Sequence, residues 1–262
     1  KAIHVPEAGI VDYRQVCARM AEKVESKEEN QIFLASKVVQ MSMSGDRVVV
    51  STARGEHEAR FVVNCAGLHS DRVTSLTETP KAKIIPFRGE YFEVIPEAHH
   101  LCRNLIYPVP DPSFPFLGVH FTRMIGGGLE CGPNAVLAFA REGYTRTNVN
   151  WKDLAETLSY PGFLKLSAKY WRTGLGEMWR SFSKGAFVRA LQRLVPEIEE
   201  HHLEAVPAGI RAQAVTPEGK LVDDFLIQES SRVIHVGNAP SPAATSSLNI
   251  GRLIVEKLEA HF

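Results

Sequence analysis

The sequence contains no apolar run of the ~18 residues that a membrane-spanning helix needs, and no segment typical of a signal peptide. It also has no excess of charge, because 30 Lys and Arg residues balance 30 Asp and Glu residues. The overall field of such a protein does not draw it to nucleic acid or to an anionic surface. Nucleic acid is therefore not an expected partner, and individual arginines must carry any recognition of anions.

Cysteine is scarce, with only Cys17, Cys65, Cys102 and Cys131. These residues form no C-x-x-C pair and have no histidine at the spacing of a zinc site, so we expect no metal centre. Widely spaced cysteines of this kind indicate reduced thiols in a reducing compartment. We therefore expect a cytoplasmic protein.

The first part of the chain predicts a helix followed by a β-meander. Asp12 and Gln15 resemble a capping pair, and apolar residues then recur every four positions to about Ser26. We expect one face of this helix to pack on a sheet. The segments that alternate apolar and polar side chains around two glycine-containing turns, and thus predict three antiparallel strands, are 31–40, 47–52 and 57–64.

The remainder of the chain predicts a second sheet, then helices, then strands again. Prolines interrupt the strand-like region 83–140, which suits the edges of an antiparallel sheet. Within it, residues 126–132 predict a hairpin turn and its outgoing strand. Residues 153–170 and 185–194 predict helices, the first of them broken by Pro161-Gly162. Strands resume at residue 209, and a final helix is expected to pack back on the first part of the chain.

A strand-to-loop junction near the C-terminal end has the pattern of a ligand site. The apolar run 232–236 enters a loop of Gly, Ala, Ser and Pro, and the first turn of the helix behind it carries Thr245, Ser246 and Ser247. Small side chains let a flat ligand approach the backbone, and the free amides of a helix N-terminus favour an anionic edge. An ordinary capped helix has the same pattern, so spacing alone leaves both interpretations open.

A second junction of this kind lies far upstream. The run 60–64 ends in an Ala66-Gly67 turn, behind which a helix capped by Ser70 or Asp71 can begin. Two such junctions indicate one shared ligand.

Several long motifs, in the same order along the chain, make this sequence recognisable. They are Asn64-Cys65-Ala66-Gly67, Pro86-Phe87-Arg88-Gly89-Glu90-Tyr91, Ile106-Tyr107-Pro108-Val109-Pro110-Asp111-Pro112, Gly132-Pro133-Asn134-Ala135-Val136-Leu137-Ala138-Phe139, Gly209-Ile210-Arg211-Ala212-Gln213-Ala214 and residues 238–246. Together they resemble the FAD-dependent L-2-hydroxyglutarate dehydrogenases or oxidases, within the D-amino-acid-oxidase-like flavoproteins. The resemblance extends from about Ile3 to Leu258.

The resemblance implies an α/β (α+β) fold, with part of a Rossmann-like FAD-binding domain and a mostly antiparallel substrate domain that also contains helices. The corresponding division is 1–82 and 206–262 for the FAD-binding domain and 83–205 for the substrate domain. Family members open with a Gly-x-Gly-x-x-Gly βαβ unit that holds the FAD pyrophosphate, and no such segment precedes Lys1. The chain is therefore expected to be a C-terminal portion of such an enzyme.

The resemblance also implies which residues would contact FAD. Ala66 and Gly67 would approach its adenosine or pyrophosphate side. The residues that would lie along the isoalloxazine and its pyrimidine edge are Ala239, Ser241, Ala244, Thr245 and Ser246. The amides of residues 245–247 would then stabilise negative charge on the reduced flavin.

Oxidation of a 2-hydroxy acid by a flavin requires an acceptor for the hydroxyl proton, and histidine is suited to that task by its pKa. His120 lies in a predicted strand of the substrate domain and in a segment that matches the family, so it is the preferred base. His235, on the strand that leads to the C-terminal loop, is the second candidate. A hydrogen-bonded structural histidine is the alternative for either.

The two carboxylates of L-2-hydroxyglutarate suit the forked guanidinium of arginine. Arg88, Arg123 and Arg211 each lie in an otherwise apolar or small-residue segment, where an unpaired guanidinium is costly to bury. Each is a candidate for substrate binding or for a local salt bridge, for example with Glu90. Arg123 departs from the family pattern in its local sequence, so Arg88 and Arg211 are preferred.

Two tyrosines and an asparagine complete the set. Tyr91 and Tyr107 either donate a hydrogen bond to a carboxylate or face the core, and Asn134 is expected to shape a turn.

The resemblance does not specify the electron acceptor, which can be oxygen, a quinone or a carrier protein. It also leaves open whether the protein makes peripheral contact with the inner membrane, which in a eukaryote would be the inner membrane of the mitochondrion. The competing functions are a related flavin amine or 2-hydroxy-acid oxidoreductase and a non-catalytic fragment unable to hold FAD.

Overall fold

The computed structural model describes residues 2–109, 118–240 and 242–261. Its backbone contacts divide the chain into two compact units. The first unit comprises Lys1–Phe33, Glu90–Asn134 and Trp179–Pro207, and the second comprises Leu34–Gly89, Ala135–Met178 and Ala208–Phe262. The division 1–82, 83–205 and 206–262 stays a prediction.

Helices and strands alternate irregularly along the chain. The helices are α1 (Tyr13–Glu25), α2 (Ser70–Thr74), α3 (Trp151–Leu158), α4 (Pro161–Phe182), α5 (Lys184–Leu191) and α6 (Ser247–Glu259). The strands are β1 (Val38–Ser44), β2 (Arg47–Thr52), β3 (Gly55–Ala59), β4 (Val62–Asn64), β5 (Lys83–Val94), β6 (His120–Arg123), β7 (Leu129–Gly132), β8 (Val136–Leu137), β9 (Leu203–Val215), β10 (Leu226–Glu229) and β11 (Val233–Asn238).

The predicted helix at the beginning of the chain is confirmed. Asp12 is its N-cap, and its carboxylate accepts hydrogen bonds from the amides of Arg14 and Gln15. The Gln15 side chain donates back to Asp12. The expected packing of one face on a sheet is wrong for the described residues, because no residue of α1 is buried.

The predicted antiparallel meander is confirmed, but only its second strand, 47–52, has the predicted bounds. Strands β1, β2 and β3 form an antiparallel sheet with Met41 opposite Val50. The first strand begins at Val38 rather than at residue 31, since Ala35 has a φ of 53° that strands do not adopt. The predicted strand 57–64 is two strands, because β4 leaves the meander.

Strand β4 pairs instead with β11, in parallel, and β10 completes this sheet as an antiparallel neighbour of β11. Helix α6 covers β11 as expected. Ile254 of α6 packs with Ile234 and Val236, which share one face of β11. These side chains are buried because the helix removes that face from contact with water.

In the first unit, β6 and β7 form a hairpin, which confirms the turn and outgoing strand predicted for residues 126–132. Strand β7 also pairs with the end of β5. The core of this unit lies between these strands and α5, where the rings of Phe92 and Phe187 lie 4.8 Å apart. In the second unit the beginning of β5 pairs with β8. The predicted combination of helices with mostly antiparallel strands is thus confirmed.

The predicted break of the segment 153–170 at Pro161-Gly162 is confirmed, because α3 ends at Leu158 and Pro161 begins α4 as a first-turn proline. The predicted end of the second part at residue 170 is wrong. Helix α4 then continues to Phe182, with a kink at Tyr170. All four cysteines are free thiols, of which Cys17 and Cys65 are exposed.

Candidate functional site

The two predicted strand-to-loop junctions lie side by side in the second unit. Strands β4 and β11 are parallel neighbours, with Val62 opposite Val233 and Asn64 opposite His235. Both strands therefore end at the same edge of the sheet. Ligands in open α/β sheets bind beyond the carboxyl ends of such strands, so the shared edge supports the inference of one ligand for both loops.

The first loop contains the Ala66-Gly67 turn. The amide of Ala66 donates to Asn64 Oδ1 at 3.0 Å, and Gly67 has a φ of 52°, which favours glycine. A side chain at Gly67 would meet no atom within 4 Å, so the backbone is open on that side. The expected cap was wrong: His69 is the N-cap residue of α2, and its side chain makes no capping bond.

Asp71 does not cap α2, because its carboxylate is buried and pairs with Arg141. Arg141 Nη2 donates to Asp71 Oδ2 at 2.8 Å, and Nη1 donates to the Leu68 carbonyl at 2.6 Å. Asp71 also accepts the amide of Ile84 at 3.1 Å. This buried pair fixes the backbone directly behind Gly67. Arg141 was not predictable from local sequence, because its partner lies 70 residues away.

A second arginine extends the same group of charges. Arg72 donates to Asp153 at 2.5 Å and to Glu156 at 2.8 Å. The Arg141 amide donates to Asp153 at 2.8 Å. Burial raises the pKa of the Asp153 carboxyl, but this amide and the neighbouring guanidiniums together outweigh it and hold the pKa below its usual range.

The second loop differs in detail from its prediction. Helix α6 begins at Ser247, so Thr245 and Ser246 precede it rather than lying in its first turn. The amides of Ser246 and Ser247 donate to the carbonyls of Pro242 and Ala244, each at 3.3 Å. These two amides are thus engaged within the turn, and the role of amides 245–247 at a flavin stays a prediction.

The small side chains of this loop remain available to a ligand. Ala239, Ala244 and Thr245 are exposed, and Ser246 is half-buried. The Thr245 hydroxyl donates to the Pro242 carbonyl at 2.8 Å. Ser241 lies outside the described residues.

His235, the second candidate base, is a structural histidine. Its ring is fully buried, with Nδ1 3.1 Å from Asn64 Nδ2 and Nε2 3.0 Å from Thr77 Oγ1. Because an amide nitrogen only donates, Nδ1 is the acceptor and the proton is on Nε2. Burial lowers the pKa of His235, while Glu78 acts in the opposite direction. The ring therefore ties β11 to β4 and to residues 77–78.

His120, the preferred base, is only partly buried, unlike His235. Its Nδ1 lies 3.1 Å from the Gly118 carbonyl, which only accepts, so the proton is on Nδ1 and Nε2 carries the free lone pair. The ring stacks on Tyr107 with 4.3 Å between centroids, and Tyr107 is 48% exposed. Burial lowers the pKa of His120, so the ring is neutral near pH 7. A neutral imidazole with an unprotonated Nε2 is the form that accepts a proton.

Tyr91 lies close to His120 in register. Gly132 pairs with His120 across the hairpin, and a Cβ at Gly132 would lie 2.9 Å from the Tyr91 ring. The glycine therefore admits the tyrosine ring beside the strand that carries His120. Arg123 is in the same strand as His120, but an odd spacing of three residues puts it on the other face of β6.

The two preferred arginines differ in environment. Arg88 is 4% exposed and donates from Nη1 to the Thr145 carbonyl at 3.2 Å. Arg211, in β9, is exposed, so the argument from the cost of burial does not apply to it. Arg88 and Arg211 belong to the second unit, whereas His120, Arg123 and Tyr91 belong to the first.

Asn134 does more than shape a turn. It is buried, accepts the Glu90 amide at 2.8 Å and donates to Glu90 Oε2 at 3.1 Å. Ser181 donates to the other oxygen of Glu90 at 2.8 Å. The carboxylate of Glu90 is thus held inside the first unit, an arrangement that the sequence did not reveal. Among the described residues no cluster of His, Cys, Asp and Glu is suited to a metal ion.

The family model that matches this chain is described as FAD dependent oxidoreductase and covers residues 1–257. An L-2-hydroxyglutarate dehydrogenase from Indibacter alkaliphilus is 54% identical over 97% of this chain and 64% of its own length. A mitochondrial L-2-hydroxyglutarate dehydrogenase from Homo sapiens is 40% identical over 100% of this chain and 60% of its own length. The chain thus spans less than two thirds of these relatives.

The fold also has a counterpart among solved structures. Dithionite-reduced L-α-glycerophosphate oxidase from Mycoplasma pneumoniae, with FAD bound, superposes with a TM-score of 0.61 at 17% identity, over 86% of this chain and 50% of that one. The likeness confirms the predicted fold class, including its Rossmann-like part. At this identity it carries no information about the substrate.

Proposed function

The chain belongs to the family of FAD-dependent oxidoreductases, and on this premise we propose that it takes part in the oxidation of L-2-hydroxyglutarate to 2-oxoglutarate. The observation that carries the proposal is the high identity to L-2-hydroxyglutarate dehydrogenases along nearly the whole chain. A related flavin oxidoreductase of amines or of other 2-hydroxy acids is the competing enzyme, and a fragment unable to hold FAD is the competing non-enzyme.

The shared edge of β4 and β11 is the proposed seat for FAD. The open backbone at Gly67 and the small, accessible side chains of the second loop are compatible with a flat ligand that lies against the main chain. The residues proposed to contact FAD are Ala66, Gly67, Ala239, Ser241, Ala244, Thr245 and Ser246. The pair Arg141–Asp71 holds the backbone behind the first of these loops in place.

Bound FAD would accept the hydride from the α-carbon of the substrate. In this proposal His120 Nε2 accepts the hydroxyl proton, because Nδ1 is already protonated and engaged with Gly118. The exposed Tyr107 ring stacks on the imidazole and limits its rotation. Proton and hydride together account for the two hydrogens lost when the alcohol becomes a ketone.

Arg88 and Arg211 are the proposed partners of the two substrate carboxylates, with Arg123 and Tyr91 as further candidates. Arg88 is the preferred candidate, since its guanidinium can bind a carboxylate with two parallel hydrogen bonds. Arg211 is exposed and would engage a carboxylate that remains in contact with water. The two electrons would pass to oxygen, a quinone or a carrier protein in the cytoplasm, or in the mitochondrion of a eukaryote.

The test is the visible absorbance of the purified chain with added FAD, before and after anaerobic addition of L-2-hydroxyglutarate. We expect a bound-flavin spectrum that bleaches with this substrate and does not bleach with D-2-hydroxyglutarate. Bleaching by N-methyl amino acids instead would favour the amine oxidoreductase. A folded, colourless chain at saturating FAD would favour the non-catalytic fragment.

A further inference from the structure

The side chain of Asn64, at the end of β4, holds the Ala66-Gly67 turn. It is buried, and its two polar atoms face groups of opposite character. Its Oδ1 accepts the Ala66 amide at 3.0 Å, whereas its Nδ2 donates to the Ser70 carbonyl at 2.9 Å. A reversed side-chain amide would set two donors against each other at Ala66 and two acceptors against each other at Ser70. These two backbone groups therefore require the observed orientation of Asn64.

The ring of His235 holds the same side chain from the neighbouring strand. Its Nδ1 accepts from Asn64 Nδ2 at 3.1 Å, and its Nε2 lies 3.0 Å from Thr77 Oγ1. Glu78 Oε1 lies 3.8 Å from Nε2, and negative charge on that side favours the tautomer with its proton on Nε2. The ring is fully buried, so bulk water does not reach Nδ1.

These contacts form one chain of hydrogen bonds that run in the same direction. The Ala66 amide donates to Asn64, and Asn64 donates to His235. His235 in turn donates to the Thr77 hydroxyl. We refer to this chain as the relay. Because successive hydrogen bonds polarise and orient one another, the position of the Ala66 amide depends on a ring that it does not touch.

The relay is also connected to the start of the second loop. Ser70, whose carbonyl accepts from Asn64, donates from its hydroxyl to the Gly237 carbonyl at 3.3 Å. Gly237 lies near the end of β11, shortly before the small-residue loop. Asn64 and Ser70 therefore join the two backbone segments from which the proposed FAD loops begin.

We propose that Asn64 and His235 are positioning residues, which hold the Ala66-Gly67 turn in the conformation that binds FAD. Neither side chain touches FAD in this proposal, since Asn64 is 4% exposed and His235 is fully buried. Their contribution is pre-organisation, because a turn that is already ordered loses less conformational freedom when a ligand binds. The proposal rests on the proposed function for the identity of the ligand. The relay, however, is present in the free chain and can be tested there.

A matched pair of variants at His235 tests the relay. The amide of an asparagine ends near the position of Nδ1, and the amide of the longer glutamine ends near the position of Nε2. His235→Asn therefore keeps the acceptor for Asn64, whereas His235→Gln loses it and keeps the contact with Thr77. Both variants remove the ring and both are polar, so they differ chiefly in which end of the relay they preserve.

Hydrogen exchange of the Ala66 amide, measured by NMR in the free chain, is the first readout. We expect exchange to be about 2–10-fold faster in His235→Gln, which corresponds to the net contribution of one hydrogen bond. Exchange in His235→Asn should remain close to that of the unaltered chain. This order would not arise if the ring only stabilised the sheet, because both variants remove it.

Ile234→Ala is the control for a general loss of stability. Ile234 is 1% exposed, precedes His235 in β11 and packs against Ile254 of α6, outside the relay. Its truncation should lower the melting temperature and leave exchange at Ala66 unchanged. Circular dichroism checks that all variants are folded. Exchange that accelerates equally in Ile234→Ala and His235→Gln would report stability alone and would overturn the proposal.

The affinity for FAD, measured by quenching of flavin fluorescence, is the second readout. We expect His235→Gln to raise the Kd about 2–10-fold, in proportion to the change in exchange, and His235→Asn to leave it within about twofold. Equal Kd values for His235→Gln and the unaltered chain, despite faster exchange at Ala66, would overturn the proposal. So would equal exchange in the two His235 variants. An unaltered chain that binds no FAD contradicts the proposed function instead, and the order of exchange rates then decides by itself whether the relay positions the turn.

Discussion

The guanidinium of Arg141 binds both carboxylate oxygens of Asp71 in the interior of the second unit. Arg141 is 3% exposed and Asp71 5% exposed, so neither charge is solvated. The same guanidinium holds the Leu68 carbonyl, next to Gly67. This pair therefore links the stability of the second unit to the geometry of its proposed cofactor loop.

We expect Arg141→Met to lower the free energy of unfolding by about 3–5 kcal/mol, because it leaves the Asp71 carboxylate buried without its partner. Asp71→Asn in addition should cost less than the sum of the two single changes, since the second change removes the orphaned charge. Urea unfolding measures the free energy of unfolding of each single variant and of the double variant. Arg252→Met, in an exposed pair with Glu256, is the control and should have little effect. Additive costs for Arg141 and Asp71 would contradict the interpretation.

His120 is expected to control the pH dependence of substrate oxidation. His120→Gln should reduce kcat about 10²–10⁴-fold, the usual contribution of a general base. Because burial lowers the pKa of His120 from 6.5, the acidic limb of kcat/KM should lie below pH 6.5 in the unaltered enzyme. Steady-state rates between pH 5 and 8 check both points. As a control, His100→Gln, at an exposed histidine, should not shift the acidic limb of kcat/KM. An acidic limb that persists in His120→Gln would exclude His120 as the base.

His235 is expected to make stability depend on pH. Burial lowers its pKa in the folded state below 6.5, so the unfolded chain takes up a proton at higher pH than the folded protein does. The stabilising contribution of the neutral ring is then complete above pH 6.5 and is lost as the pH falls through the folded-state pKa. The stability difference between the unaltered chain and His235→Gln should therefore shrink between pH 7.5 and 5.5.

Chemical denaturation at several pH values measures this difference. His4→Gln, at an exposed histidine, should differ from the unaltered chain by a constant amount over the same range. A difference for His235→Gln that stays constant with pH would mean that the buried ring does not titrate in this range.

Two glycines of α4 should respond oppositely to alanine. A Cβ at Gly162 would collide with the Thr216 carbonyl and approach the Tyr160 ring to 2.6 Å. Gly162→Ala should therefore destabilise by about 1–3 kcal/mol, as overpacking does. Gly174 meets nothing within 4 Å, so Gly174→Ala should stabilise the helix by about 0.5–1 kcal/mol. Thermal unfolding distinguishes the two, and equal effects would mean that the helix start is not packed as described.

Local patterns predicted the elements whose partners are close in sequence. The Asp12 cap and the helix behind it, the β1–β2–β3 meander and the β6–β7 hairpin depend on residues within a few positions of one another. The end of α4 was missed because Gly174 and Gly176 weaken the helical signal between Tyr170 and Phe182. There the packing of the inward residues, rather than intrinsic propensity, sustains the helix.

The candidate site was predictable only in part. The Ala66-Gly67 turn and the small-residue loop before α6 follow from composition at the ends of strands, and their adjacency follows from the parallel pairing of β4 with β11. The family resemblance ranked His120 above His235, but strand position did not separate them, since both lie in strands. Burial distinguishes them: His235 is enclosed by groups from β4 and from residues 77–78.

The sequence by itself determined the family, through motifs that extend along the chain, and the local elements, through periodicity and capping residues. Only the tertiary structure decided that Asp71 pairs with Arg141 instead of capping a helix, and that the ring of His235 is fully buried. The physical reason is the same in both cases. Burial and pairing depend on groups that lie tens of residues apart along the chain. A periodic pattern indicates which residues share a face, but it does not indicate what that face packs against.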